Sequence, residues 1–407
     1  MELEVRTDIN KSNTATRFRP ALASAAAFAS LLCYALVLLI TPACNNEIAA
    51  EYQLSLGRLG QLSLATMLGF FATVIPAGFL SDRWGKLPLM SLGCASMAVG
   101  AAAFVLTHDF RWLIVGSALF GIGGGFSEAT SMALLADVYE GPRRSAVMNL
   151  AQAMFGIGAV VAPLGIGWIL RAGANWRTGY LGAAAFCSLG LLLNVLALAL
   201  HREARLHNAD DKPLALSIVS DGTVWLLAVA IFLYVGAEIG QSTWLSVYFK
   251  RCLGAGSSLA ASSPSFMWLG IGVGRLLAAC ILHRVSEVPF VRVVLISAAI
   301  SQAALIVLKT PLSGAAAAFA LGVFLGPVFP TIVSRANSAY PEATGSVSSV
   351  VMAAGSLGAA VFPPLIGLSA DYLGLAKALW ICFILLFLDF LVVSAAARGS
   401  EVTKARV

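Results

Sequence analysis

The sequence predicts an all-α membrane protein in which twelve transmembrane helices form two parallel six-helix repeats around a central cavity. Three observations carry this. Of its 407 residues, 59% are hydrophobic and only 11% charged, with a mean hydropathy of +0.87, whereas soluble domains carry about 25% charged residues. The apolar residues come in runs of the length a helix needs to cross the hydrocarbon, about 20 residues each. The second half of the chain also repeats the first at a fixed spacing.

Lipid offers the backbone no water, so only helices or closed barrels satisfy its polar groups. The runs here are continuous and do not alternate with period two, which selects helices. Residues 1–19 read as a cytoplasmic tail. Arg17 and Arg19 precede a run from Ala21 to Ile40 that is longer than the roughly 7–15 residues of a signal-peptide core and leads into further apolar segments, so it is the first span. With Gly, Pro and charge clusters as boundaries, the twelve spans fall near 20–41, 57–80, 87–107, 111–136, 144–170, 176–200, 223–249, 262–282, 289–309, 311–334, 344–369 and 374–397. Spans 1–6 make an amino-terminal bundle over 20–200 and spans 7–12 a carboxy-terminal bundle over 222–397, with a polar linker at 201–221 and a tail at 398–407.

Arginine and lysine favour one side of this arrangement by roughly two to one, which places both termini in the cytoplasm and the chain in the cell membrane as a multi-pass protein. The formal charge of +6 forms no basic stripe, so the basic residues act as topology signals and not as a nucleic-acid surface. Seven cysteines lie scattered without metal-ligand spacing and read as packing residues. Four histidines sit at loop or helix-end positions, and no nucleophile–base pair or phosphate loop stands out, so an enzyme, a cofactor and a metal site are not expected.

The repeat is read directly. Tyr139 maps onto Tyr340 (340 − 139 = 201), and the same offset takes Ser145 to Ser346, Asp82-Arg83 to His283-Arg284 and Gly69 to Gly270. Pro163 maps to Pro363 with a slip of one residue. The offset spans six helices, an even number, so both copies share one orientation, as in transporters built from parallel repeats around a midplane site.

Between spans 2 and 3 stands Gly78-Phe79-Leu80-Ser81-Asp82-Arg83-Trp84-Gly85-Lys86. Gly78 permits close approach of a neighbouring backbone and Gly85 a tight turn. Asp82 suits the positive end of an opposing helix, for which the start of span 11 near Thr344 is the candidate. Arg83 suits a pairing with Asp137 at the end of span 4. Together Gly78, Asp82, Arg83, Gly85 and Asp137 are candidate gating residues, the alternative being a plain topogenic loop. This stretch resembles the loop signature of the major facilitator superfamily.

An ionisable group inside a bilayer costs about 2.5–3.5 kcal/mol at the helix centre and calls for an explanation. Four stand out: Glu128, Glu238, Arg275 and Asp389. Glu128 follows the glycine run Gly123-Gly124-Gly125, which lets a helix or ligand come close, and a carboxyl so placed can hold a proton and release it when water or a cation arrives. It is the candidate for proton coupling, the alternative being a permanent hydrogen bond to a neighbouring helix. Glu238, Gln241 and Trp244 recur at three-residue spacing on one face of span 7. A carboxylate and an amide can take sugar hydroxyls while an aromatic plane covers the ring, although Trp244 also suits an interface anchor and Gln241 a helix bridge. Asn149 and Gln152 share a face of span 5, either toward the cavity or as interhelical glue worth about 0.6 kcal/mol each. Arg275 needs a carboxylate or helix-end carbonyls as partner, with Glu128 and Glu238 the candidates. Asp389 reads as structural.

Gly121-Ile122-Gly123-Gly124-Gly125-Phe126-Ser127-Glu128, Asn149-Leu150, Phe155-Gly156-Ile157-Gly158-Ala159, Tyr234-Val235-Gly236-Ala237-Glu238 and Gly274-Arg275-Leu276 resemble the fucose permease branch of that superfamily, the sugar:proton symporters. The resemblance implies proton-driven movement of a sugar or sugar derivative, with Glu128 at the branch's coupling position. That branch also has an acidic residue within its first helix, and Ala21 to Ile40 contains none. The expected partners are a small-molecule solute, protons and the lipid bilayer, with the monomer as the functional unit. The other readings are a proton-driven efflux antiporter for amphipathic compounds and a non-transporting solute sensor.

Overall fold

The computed structural model describes residues 20–200, 222–282, 284–340 and 344–404; the linker at 201–221 and the residues of the amino-terminal tail lie outside them. Twelve helices long and apolar enough to cross a membrane follow one another. They are α1 (Pro20–Glu51), α2 (Leu56–Trp84), α3 (Lys86–Leu106), α4 (Phe110–Val138), α5 (Gly141–Arg171) and α6 (Arg177–Leu200) in the first half. The second half holds α7 (Gly222–Arg251), α8 (Ser257–Ile281), α9 (Glu287–Val307), α10 in two pieces (Pro311–Leu325 and Val328–Ala339), α11 (Thr344–Leu373) and α12, a short turn Leu375–Ala378 leading into Trp380–Lys404.

Helix ends follow local chemistry. Ser55, Asp109 and Thr310 cap α2, α4 and α10 by accepting backbone N–H groups from their own first turns. Gly85, at φ 91°, makes the left-handed turn between α2 and α3 that a side chain would strain. The largest departure from the expected boundaries is at α1, which runs through Pro42 to Glu51 instead of stopping near residue 41. Asn45 and Asn46 stay helical because their amides donate to the Thr243 and Ser246 carbonyls of α7 at 2.8 and 3.0 Å, so the polar cluster is satisfied by tertiary contacts and needs no loop.

The two halves are built alike. In the first, α2 packs on α4, α3 on α4 and α6, and α1 on α5; in the second, α8 packs on α10, α9 on α10 and α12, and α7 on α11. The repeat holds to the atom. A Cβ on Gly69 would strike the Ala118 carbonyl and one on Gly270 the Phe319 carbonyl; Gly121 lies against Thr66 O and Gly322 against Met267 O. Each pair is related by the offset of 201, so the same glycine contacts fasten α2 to α4 and α8 to α10.

The halves meet through α2 on α11 and α5 on α8. Hydrogen bonds seal them at the end that carries the α1–α2 loop: besides the Asn45 and Asn46 amides, the Ser246 hydroxyl donates to Pro42 O, and Ser265 donates to Val160 O at 2.7 Å. Gly60 lies 2.9 Å, by the position of an added Cβ, from Pro364 Cα. Toward the α2–α3 loop, exposure rises along α2 and α5, with Phe79 73% exposed and Asn149 exposed. The space left between the halves therefore opens toward the α2–α3 loop.

Candidate functional site

Beneath the seal the halves leave a small cavity of about 30 Å³ between α1, α2, α7 and α8. Its lining follows the repeat: Leu38 faces Ile239, Thr41 faces Ser242, Pro42 faces Thr243 and Met67 faces Trp268, each pair again 201 apart. Ser63 and Thr66 add hydroxyls from the first half alone. Trp268 donates its indole N–H to Ser242 Oγ at 2.9 Å, and its ring meets Phe155 edge-on at 5.9 Å. Phe155 contacts Tyr34 at 5.7 Å, which stacks on Phe70 at 5.6 Å. These rings form a collar beneath the cavity. Tyr34 fits because Gly124 leaves room for its ring.

Past the collar lie the ionisable groups. Glu128 on α4 accepts a hydrogen bond from Gln152 Nε2 on α5 at 3.1 Å and is half-buried. Across the interface Glu238 on α7 is buried and accepts from the Tyr234 hydroxyl at 2.9 Å. Tyr234 also reaches Leu325 O at 3.1 Å, and Arg275 Nε on α8 reaches Gly326 O at 3.4 Å. Both carbonyls belong to the break in α10, where Pro327 has no N–H to offer and the helix restarts at Val328. Carbonyls at the negative end of a half-helix are the natural partner of a buried guanidinium. Arg275 makes no ion pair among the described residues, yet it acts electrostatically on both Glu128 and Glu238.

The other residues singled out by sequence fall elsewhere. Gln241 is buried and accepts from Gln302 of α9 at 2.7 Å. Trp244 has no exposed surface and donates to Pro363 O at 2.8 Å, so it packs α7 against α11 and does not border the cavity. Asn149 sits on α5 one turn from Gln152, exposed toward the open end. Asp137 pairs with Lys86, not with Arg83: Lys86 opens α3, which packs along α4, whereas Arg83 ends α2 on the far side of the Gly85 turn and is exposed. A Cβ on Gly78 would meet nothing within 4 Å, because no helix of the other half reaches α2 there. The side chains of Asp82 and Thr344 lie outside the described residues.

Three participants escaped the sequence reading. Tyr234 was visible only as part of a motif. The cavity hydroxyls carry no motif at all. Glu47 was hidden by the assumed end of the first span: it lies within α1, half-buried, with Oε2 lacking a hydrogen-bond partner and Lys250 of α7 acting on it electrostatically. The first helix therefore does hold acidic residues, which a search beyond Pro42 for helix-compatible Asn-Asn-Glu would have found.

The sequence profile of the Major Facilitator Superfamily matches residues 25–363. The chain belongs to this superfamily. It is a transporter of the Major Facilitator Superfamily, similar to the glucose/mannose transporter of Bacillus subtilis (strain 168), with 24% identity over 321 residues, 74% of this chain and 77% of that one. It is also similar to a glucose/galactose transporter of Brucella abortus biovar 1 (strain 9-941), 27% identical over 333 residues, 76% of this chain and 78% of that one. Among solved structures, the fold is that of a bacterial homologue of the human lysosomal transporter Spinster in an inward-facing, occupied conformation, with a TM-score of 0.75, 17% identity, and 92% and 96% of the two chains covered.

Proposed function

We propose that this superfamily member carries a hexose-like sugar in symport with protons by alternating access, as a monomer with both termini cytoplasmic. The observation that carries it is a pair of intramembrane carboxyls in opposite halves, Glu128 and Glu238, each held by a neutral donor, Gln152 Nε2 at 3.1 Å and the Tyr234 hydroxyl at 2.9 Å. A proton on either carboxyl changes the charge and the hydrogen bonding of its half at mid-membrane, which is what coupling requires. The cavity hydroxyls of Thr41, Ser63, Thr66, Ser242 and Thr243 with the Trp268 ring supply the polar groups and apolar plane that suit a pyranose once the halves part to widen the cavity, and the names of the bacterial relatives point the same way. In this orientation the structure is open to the cytoplasm and sealed outside.

Glu128 is the coupling carboxyl, oriented by Gln152. Glu47 supplies the acidic group in the first helix that the symporter branch leads one to expect. In reconstituted vesicles with an acidic exterior, the wild type concentrates hexose, and Glu128→Gln loses concentration while keeping equilibrium exchange. A Glu128→Gln protein that still concentrates hexose contradicts the assignment.

A further inference from the structure

Asp389 of α12 is fully buried, and neither of its carboxylate oxygens has a hydrogen-bond partner. α12 packs against α7 and α9. α7 and α12 run antiparallel, and a Cβ on Gly240 would lie 3.6 Å from Cys382 Sγ. From there Asp389 is seven residues on, two turns of helix, which brings it level with Leu233 and Tyr234. Asp389 accordingly acts electrostatically on Tyr234, whose hydroxyl donates to Glu238 at 2.9 Å.

No donor or cation among the described residues reaches it. On α9, Arg292 donates through Nη2 to Ser394 O at 3.2 Å while its Nε is buried without a partner of its own, and Gln302 donates to Gln241 Oε1 and to Leu379 O at 2.7 and 3.2 Å. On α7 the facing polar groups are Tyr234 and Glu238; on α12 itself Cys382 is the other titratable group nearby, and Lys377 stands exposed in the turn before it. Among the described residues no ion pair reaches Asp389. A carboxylate in apolar surroundings with neither donor nor cation is not tolerated as an ion; it takes a proton instead.

We propose that Asp389 is a second proton-binding site, level on α12 with Tyr234 of α7. Its part in transport rests on the proton-coupled reading above. The second half then carries its own proton store, separate from Glu128 in the first half.

Infrared spectra of purified protein at neutral pH test the site directly. Wild type shows the carbonyl stretch of a protonated carboxylic acid, and Asp389→Asn removes one such band; superimposable spectra overturn the proposal and mean that Asp389 is ionised, with Arg292 as its counterion. Should Asp389→Asn fail to fold, dicyclohexylcarbodiimide treatment of the wild type replaces it: modification at Asp389 supports a protonated carboxyl in apolar surroundings, and an unmodified Asp389 contradicts it. In vesicles, Asp389→Asn lowers the protons taken up per hexose and Asp389→Glu restores them, whereas an unchanged ratio overturns its part in transport. If the wild type itself moves no protons with hexose, the symport reading fails, and the infrared band alone decides whether Asp389 binds a proton.

Discussion

The Asp371 carboxylate of α11 accepts the backbone N–H of Gly57 at 2.9 Å, with the neighbouring N–H of Leu56 at 2.8 Å. Those N–H groups belong to the first turn of α2, where a helix has no internal acceptors and carries its positive end. The bond therefore joins the two halves at the sealed end, and it must break when that end opens.

Asp371→Ala removes both acceptors of this cap. Loss of a cap costs about 1 kcal/mol, so the sealed population falls roughly five-fold relative to the open one. Cysteine probes on α2 and α11 near the α1–α2 loop become correspondingly more reactive. Unchanged reactivity means that the seal does not depend on Asp371.

The two tryptophans part company under substitution. Trp244 is fully buried and bonded to Pro363 O, so Trp244→Ala costs about 3–5 kcal/mol of stability, visible as a large drop in thermal unfolding temperature. Trp268 borders the cavity, and Trp268→Ala chiefly weakens hexose binding, measured by titration of the purified protein. The reverse pattern moves the sugar-stacking role to α7.

Gly121 and Gly322 occupy equivalent helix crossings, against Thr66 O and Met267 O. Gly121→Val and Gly322→Val each force two helices apart, and overpacking of this kind costs about 1–3 kcal/mol. Similar losses in thermal stability are expected for both. A large loss in one and none in the other shows that the halves do not share this crossing in solution.

How much of this was legible in the sequence follows from which forces act locally. The twelve spans were, because hydrophobicity over about 20 residues decides them, and so was the repeat that places Gly69 and Gly270 at the same crossing. The pair Glu128 and Gln152 was half legible: the face of Gln152 follows from helical period, but its partner follows only from packing. The end of α1 was misplaced because Asn45 and Asn46 read as a loop until α7 supplies their acceptors. Spacing put Glu238, Gln241 and Trp244 on one face yet could not say which neighbour each would meet: Glu238 is bonded by Tyr234 of its own helix, Gln241 meets α9 and Trp244 meets α11. Asp371 and Lys86 were out of reach for the same reason, since their partners are set by docking of helices distant in sequence.

The most direct test of the account is whether hexose and protons move together. Hexose added to weakly buffered, de-energised vesicles containing the wild-type protein, with external pH recorded, is predicted to make the medium more alkaline as protons enter with the sugar, and Glu128→Gln to abolish the signal. Hexose entry without any change in external pH would contradict proton-coupled transport by this chain.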